Sequence, residues 1–76
     1  MVYRVLPGYL DLWRHTADVL SKHCGKPEYS EWVEKDELIV NDGDIRRLAR
    51  DWADYDVQEM ENQLYKQVVE VEEAAM

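Results

Sequence analysis

Soft-metal or thiol chemistry in this chain would have to come from His15, His23 and Cys24, which are all of its histidine and cysteine. On a helix, residues 15 and 23 lie about 12 Å apart at about 1.5 Å per residue, too far to share one ion, and the spacing matches no zinc pattern. A thiolate at Cys24 would sit at the negative end of a helix, where the dipole disfavours it, with no base positioned beside it. No metal or cofactor site is expected. No pair of titratable groups can be placed in one cleft from spacing, so no catalytic residue is assigned and the chain is read as a non-enzyme.

Two further segments imitate functional motifs. Asn41-Asp42-Gly43-Asp44-Ile45 resembles part of a calcium loop, but aligning Gly43 with the obligatory glycine puts Leu38, Val40 and Ala49 where oxygen ligands are required. It reads instead as a helix-capping turn. Arg46, Arg47 and Arg50, followed by a turn and a second helix, suggest a helix-turn-helix with phosphate contacts. The helix that would read DNA carries Glu59, Glu61, Glu70, Glu72 and Glu73 against Lys66, and each acid would be repelled by phosphate. Arg47 with Asp51 and Arg50 with Asp54 have the spacing of ordinary helical ion pairs.

The charge distribution is the strongest functional signal. Formal charge is −8, and the acid is concentrated after Lys26: residues 1–26 sum to +2 and residues 27–76 to −10. Acids repeated at helical steps resemble a phosphate backbone, which points to a protein partner with a basic, nucleic-acid-handling surface. Direct contact with nucleic acid or with an anionic membrane is not expected. The expected partner surface comprises Asp51, Asp54, Glu61, Glu72 and Glu73, with Tyr65 and Val69 as an apolar hot spot on the off-stripe side of the last helix. Solubility alone is the plain alternative for the charge.

The elements that must position these residues follow from periodicity. Val2 to Leu6 is an edge strand or a covering tail, stopped by Pro7-Gly8. Tyr9, Leu12, Trp13, Ala17, Leu20 and Cys24 form the apolar stripe of a first helix, closed by Gly25 and Pro27. Over residues 28–41, Trp32-Val33 and Leu38-Ile39-Val40 flank a polar tetrapeptide and read as a β-hairpin, a short helix at Tyr29 to Val33 being the rival. A second helix is expected over 44–55, capped by Asp44, and a third over 57–74, because their apolar stripes differ by about 120°. Asp56 with Glu59 supplies a capping box at the join, and Tyr55 with Met60 a hydrophobic staple. Trp13, Trp32 and Trp52 are expected to meet in one core.

At 76 residues and 46% apolar content the chain has room for one small core. The expected fold is a single α+β domain of three helices and a short hairpin, with an all-α bundle as the alternative. A lone cysteine and the lack of an N-terminal apolar leader suggest a cytoplasmic protein. The expected function is a small acidic binding protein that inhibits or regulates a basic partner, analogous in size and charge to phage-borne inhibitors and DNA mimics. A homodimerising adaptor, joined through heptad-like positions of the third helix, and the helix-turn-helix regulator are the alternatives.

Overall fold

The protein is described here by a computed structural model covering residues 2–53 and 55–71. It is an α+β domain. Strand β1 (Val2–Val5) leads into α1 (Pro7–His23). A 3-10 turn (Pro27–Tyr29) runs into the short α2 (Ser30–Val33), followed by β2 (Ile39–Asn41), α3 (Asp42–Trp52), α4 (Val57–Tyr65) and β3 (Val68–Val71).

The three strands form one antiparallel sheet in the order β2-β1-β3. β1 is therefore the central strand, with Arg4 opposite both Ile39 and Val69 and Tyr3 opposite Val40 and Glu70. Side chains alternate across a strand. Val5, Val40 and Val68 turn into the core, while Arg4, Ile39 and Val69 stay exposed.

α1 starts at Pro7, which suits the first helical position because its missing N–H would have had no partner there. It ends as expected: Gly25 has φ +68°, and the Lys26 amide turns back to the Leu20 carbonyl at 3.0 Å. Trp13, Ala17 and Leu20 of α1 are buried against Ile45, Leu48 and Ala49 of α3 and Leu64 of α4. Trp13 stacks on Trp32 with centroids 6.2 Å apart, and Tyr29 meets Trp32 edge-on at 5.2 Å. Two tryptophans thus meet as expected, whereas Trp52 remains 36% exposed.

Four local features differ from those expected of the sequence. No hairpin forms over 28–41: residues 27–33 are helical and only Ile39–Asn41 is a strand, pairing with β1 rather than with its own neighbour. Pro27 opens the 3-10 turn, and packing of Tyr29 and Trp32 against Trp13 decides between the two local preferences. The third helix stops at Tyr65 instead of near residue 74. A turn at Lys66-Gln67, with Gln67 N–H bonded to Leu64 O at 2.9 Å, redirects the chain so that Val68–Val71 satisfies the open edge of β1. α3 begins at Asp42, with Asn41 as its cap: Asn41 Oδ1 accepts from Asp44 N at 2.8 Å and Asp44 Oδ2 from Asn41 N at 3.1 Å. The break between α3 and α4 falls where expected, and Asp56 Oδ1 accepts from Glu59 N at 3.0 Å. The staple does not form, since Tyr55 is 94% exposed.

Candidate protein-binding surface

The break between α3 and α4 opens a cleft facing α1. Leu12, Trp13 and Thr16 line one wall, Leu48 and Trp52 a second, and Met60, Gln63 and Leu64 with Gln67 the third, around a cavity of about 120 Å³. Two wider depressions adjoin it through Met60. One is bordered by Ala53, Tyr55, Asp56 and Glu59, the other by Leu20, Cys24, Asp51 and Trp52. Besides Trp52 and Tyr55, Leu12 stands out on this face at 51% exposed. A run of exposed aromatic and aliphatic side chains around a preformed cleft is the usual build of a protein-docking surface.

Polar groups in the cleft are largely tied to the protein. The Trp13 indole N–H donates to Gln67 Oε1 at 2.7 Å, the Thr16 hydroxyl to the Leu12 carbonyl at 2.9 Å, and Gln63 Nε2 to Glu59 Oε1 at 3.4 Å. The oxygens of Thr16, Gln63 and Gln67 keep capacity to accept further bonds.

The residues singled out in the sequence are dispersed by the fold. Asp51 turns inward: Oδ2 accepts from the Tyr29 hydroxyl at 2.7 Å, and Oδ1 lies 3.8 Å from Lys26 Nζ. Burial, reinforced by that carboxylate, pushes the Tyr29 phenol above its ordinary range. Glu61 faces Arg46 Nε at 4.0 Å. Tyr65 is not a free hot spot, because its hydroxyl donates to Asp42 Oδ1 at 2.7 Å and its ring meets Tyr3 edge-on at 5.5 Å. Val69 is exposed, but on the outer face of β3 rather than beside Tyr65 on a helix. Asp54, Glu72 and Glu73 lie outside the described residues.

Asp42 also accepts from the Tyr3 hydroxyl at 3.1 Å, so one carboxylate at the start of α3 ties β1 to the end of α4. The Tyr65 hydrogen bond holds the Asp42 carboxyl below its ordinary value, and burial with Asp42 as neighbour pushes Tyr65 up to about 12.

Two of the three arginines of the helix-turn-helix reading, Arg46 and Arg47, are drawn to protein groups. Arg47 Nη2 lies 3.2 Å from Asp44 Oδ1 with its guanidinium over the Tyr29 ring at 5.5 Å, and the Arg46 side chain pairs with Glu61. The expected Arg47 to Asp51 pair is replaced by these contacts. Glu28, Glu31, Glu34, Asp36 and Glu37 are all exposed from the 3-10 turn through α2 to the segment after it, a denser acidic run than the segment selected from sequence. Among the described residues no group of three or more His, Cys, Asp or Glu side chains is placed to hold a metal, and no helix is long and apolar enough to cross a membrane.

Leu12 and Trp52, which periodicity places in buried stripes, instead border the cleft and are exposed. The available signal was the break itself: Trp52 is in the last turn before it, and Tyr55 lies within it. No family model matches the chain, and no significant match exists among curated proteins or solved structures.

Proposed function

We propose that this is a non-enzymatic binding protein that docks through the Leu12-Trp52-Tyr55 face onto a partner with a basic surface and thereby regulates or blocks it. The observation that carries the reading is the exposure of Leu12 and Trp52 at a preformed cleft, with Tyr55 exposed at the adjoining depression, in a chain of net charge −8. Apolar anchors supply affinity, whereas surrounding acids favour a basic partner and speed the encounter. Surfaces that handle nucleic acid are the natural basic class, and inhibition by occupying such a surface is the form of regulation proposed.

Mimicry of a regular phosphate row is not part of this proposal. Of the acids expected on one long helix, Glu59 and Glu61 lie on α4 and Glu70 on β3, and Asp51 is committed to Tyr29. The adaptor reading likewise loses its heptad, since Val68 and Val71 belong to a strand.

The test is differential capture from a lysate of the native host by three immobilised forms: native, Leu12→Ser/Tyr55→Ser, and Asp56→Asn/Glu59→Gln, the last neutralising the acids that border the face. A basic protein held by the native form, lost with the apolar variant and weakened with the neutralised one as salt rises supports the reading. Proteins retained equally by all three refute it.

A further inference from the structure

The docking face has a defined centre, and its chemistry narrows what the partner inserts there. A cavity of about 120 Å³ is similar to the roughly 150 Å³ engineered cavity that holds benzene, so it suits one long side chain rather than a broad apolar ridge. Its walls are apolar at Leu12, Leu48, Met60 and Leu64, with indole surface from Trp13 and Trp52. Its polar atoms include acceptors for a donor. The Thr16 hydroxyl and Trp13 indole protons are directed to Leu12 and Gln67, while the oxygens of Thr16, Gln63 and Gln67 can still accept. Glu59, hydrogen-bonded to Gln63, places a carboxylate beside the mouth.

An apolar slot with indole faces, acceptor oxygens and an acidic lip matches a side chain that is aliphatic along its stem and cationic, planar and rich in donors at its tip. We infer that the cleft receives one arginine side chain of the partner, the stem filling the cavity and the guanidinium held by Trp52, the amide oxygens and Glu59. This rests on the docking reading above and specifies its anchor. Arginine stacks on aromatic rings and retains its charge when desolvated, and tryptophan is the best aromatic acceptor of a cation. The chain already combines these elements internally, where Arg47 lies over Tyr29 and pairs with Asp44. Lysine has the charge but not the planar fork, and leucine fills the slot without using its acceptors.

The experiment titrates the full chain with capped Gly-Xaa-Gly tripeptides, Xaa being arginine, citrulline, lysine or leucine, and follows the indole N–H signals of Trp13 and Trp52 by NMR. Citrulline keeps the shape of arginine and removes its charge. The arginine peptide should shift both signals saturably, with lysine several-fold weaker and citrulline and leucine at least tenfold weaker. Trp52→Ala and, separately, Glu59→Gln should each weaken arginine binding several-fold while leaving the amide spectrum of the β-sheet unchanged. Leucine binding as tightly as arginine would overturn the inference, as would arginine shifts confined to residues 28–37. If the arginine arm fails while Leu12→Ser/Tyr55→Ser still loses a captured basic protein, the anchor is wrong and the docking face stands. If arginine binds the cleft but capture is indifferent to that variant, the anchor chemistry is right and the docking reading fails.

Discussion

Replacing Asp51 distinguishes a structural carboxylate from a surface charge. If it belonged to an exposed acidic array, Asp51→Ala would leave stability within about 0.5 kcal/mol, as surface substitutions do. The structure requires more. The Tyr29 side chain is fully buried and its hydroxyl donates to Asp51 Oδ2 at 2.7 Å, so truncating the acid strands a buried donor at about 1–3 kcal/mol. The Lys26 contact adds little, because at 3.8 Å and with a 42% exposed lysine side chain it is a surface pair of about 0–1 kcal/mol. Asp51→Asn keeps an acceptor and should cost less than Asp51→Ala. Urea unfolding followed by tryptophan fluorescence is the assay, with Tyr29 packed against Trp32 at 5.2 Å. At roughly 4–8 °C per kcal/mol for a domain of this size, Asp51→Ala should lower Tm by about 4–24 °C. In a double-mutant cycle with Tyr29→Phe the two changes should couple by about 0.5–3 kcal/mol. An Asp51→Ala variant as stable as the native protein, or a cycle with no coupling, would refute the reasoning.

Asp56→Ala removes the acceptor for Glu59 N and should cost about 1 kcal/mol by urea unfolding, with faster amide exchange confined to the first turn of α4. Gly25→Ala should cost about 1–2 kcal/mol from backbone strain alone, since φ is +68° and no heavy atom lies within 4 Å of the added carbon. Stability should be flat between about pH 5 and 9 and fall on both sides. Asp42, held below the ordinary 3.8, contributes stability above that pH that is lost as pH falls through its lower folded value. Tyr65, raised from 10.0 to about 12, contributes stability below pH 10 that is lost as pH rises toward its folded value. Tyr65→Phe should reduce both losses, and equal pH profiles for variant and native protein would count against the Asp42 clasp.

Signals confined to a few adjacent residues were legible in the sequence. Gly25, Pro27 and the basic last turn located the end of α1, and Asp56 with the phase change located the break between α3 and α4. Long-range choices were not legible. Val68–Val71 continues a helical stripe in sequence, and only the free edge of β1, more than sixty residues away, draws it into a strand. Trp32-Val33 has strand-forming residues, yet Trp32 is fixed by aromatic contacts with Trp13 and Tyr29. The same limit explains Asp51 and Tyr65. A sequence shows that a residue is charged or aromatic, but the hydroxyl 22 residues from Asp51 and the carboxylate 23 residues from Tyr65 decide that both face inward.

Asp42 and Asp51 also bear on how the docking face persists. A chain near this size buries only roughly 60% of its unfolded surface, and fully burying one more large apolar side chain would be worth about 1.5–3 kcal/mol. Leaving Leu12, Trp52 and Tyr55 outside therefore forgoes stabilisation that so small a core could use. Asp42 binds the first turn of α3 to Tyr3 and Tyr65, while Asp51 binds its last turns to Tyr29. α3 is thereby fixed at both ends by charge-assisted hydrogen bonds, which are stronger than neutral ones. With α3 held in this way and α4 started by Asp56, the α3–α4 break stays open instead of collapsing onto Trp52. The apolar cleft and the acids that secure its walls are thus parts of one arrangement: the helix that supplies Leu48 and Trp52 is anchored by side chains that a charge count alone assigns to the surface.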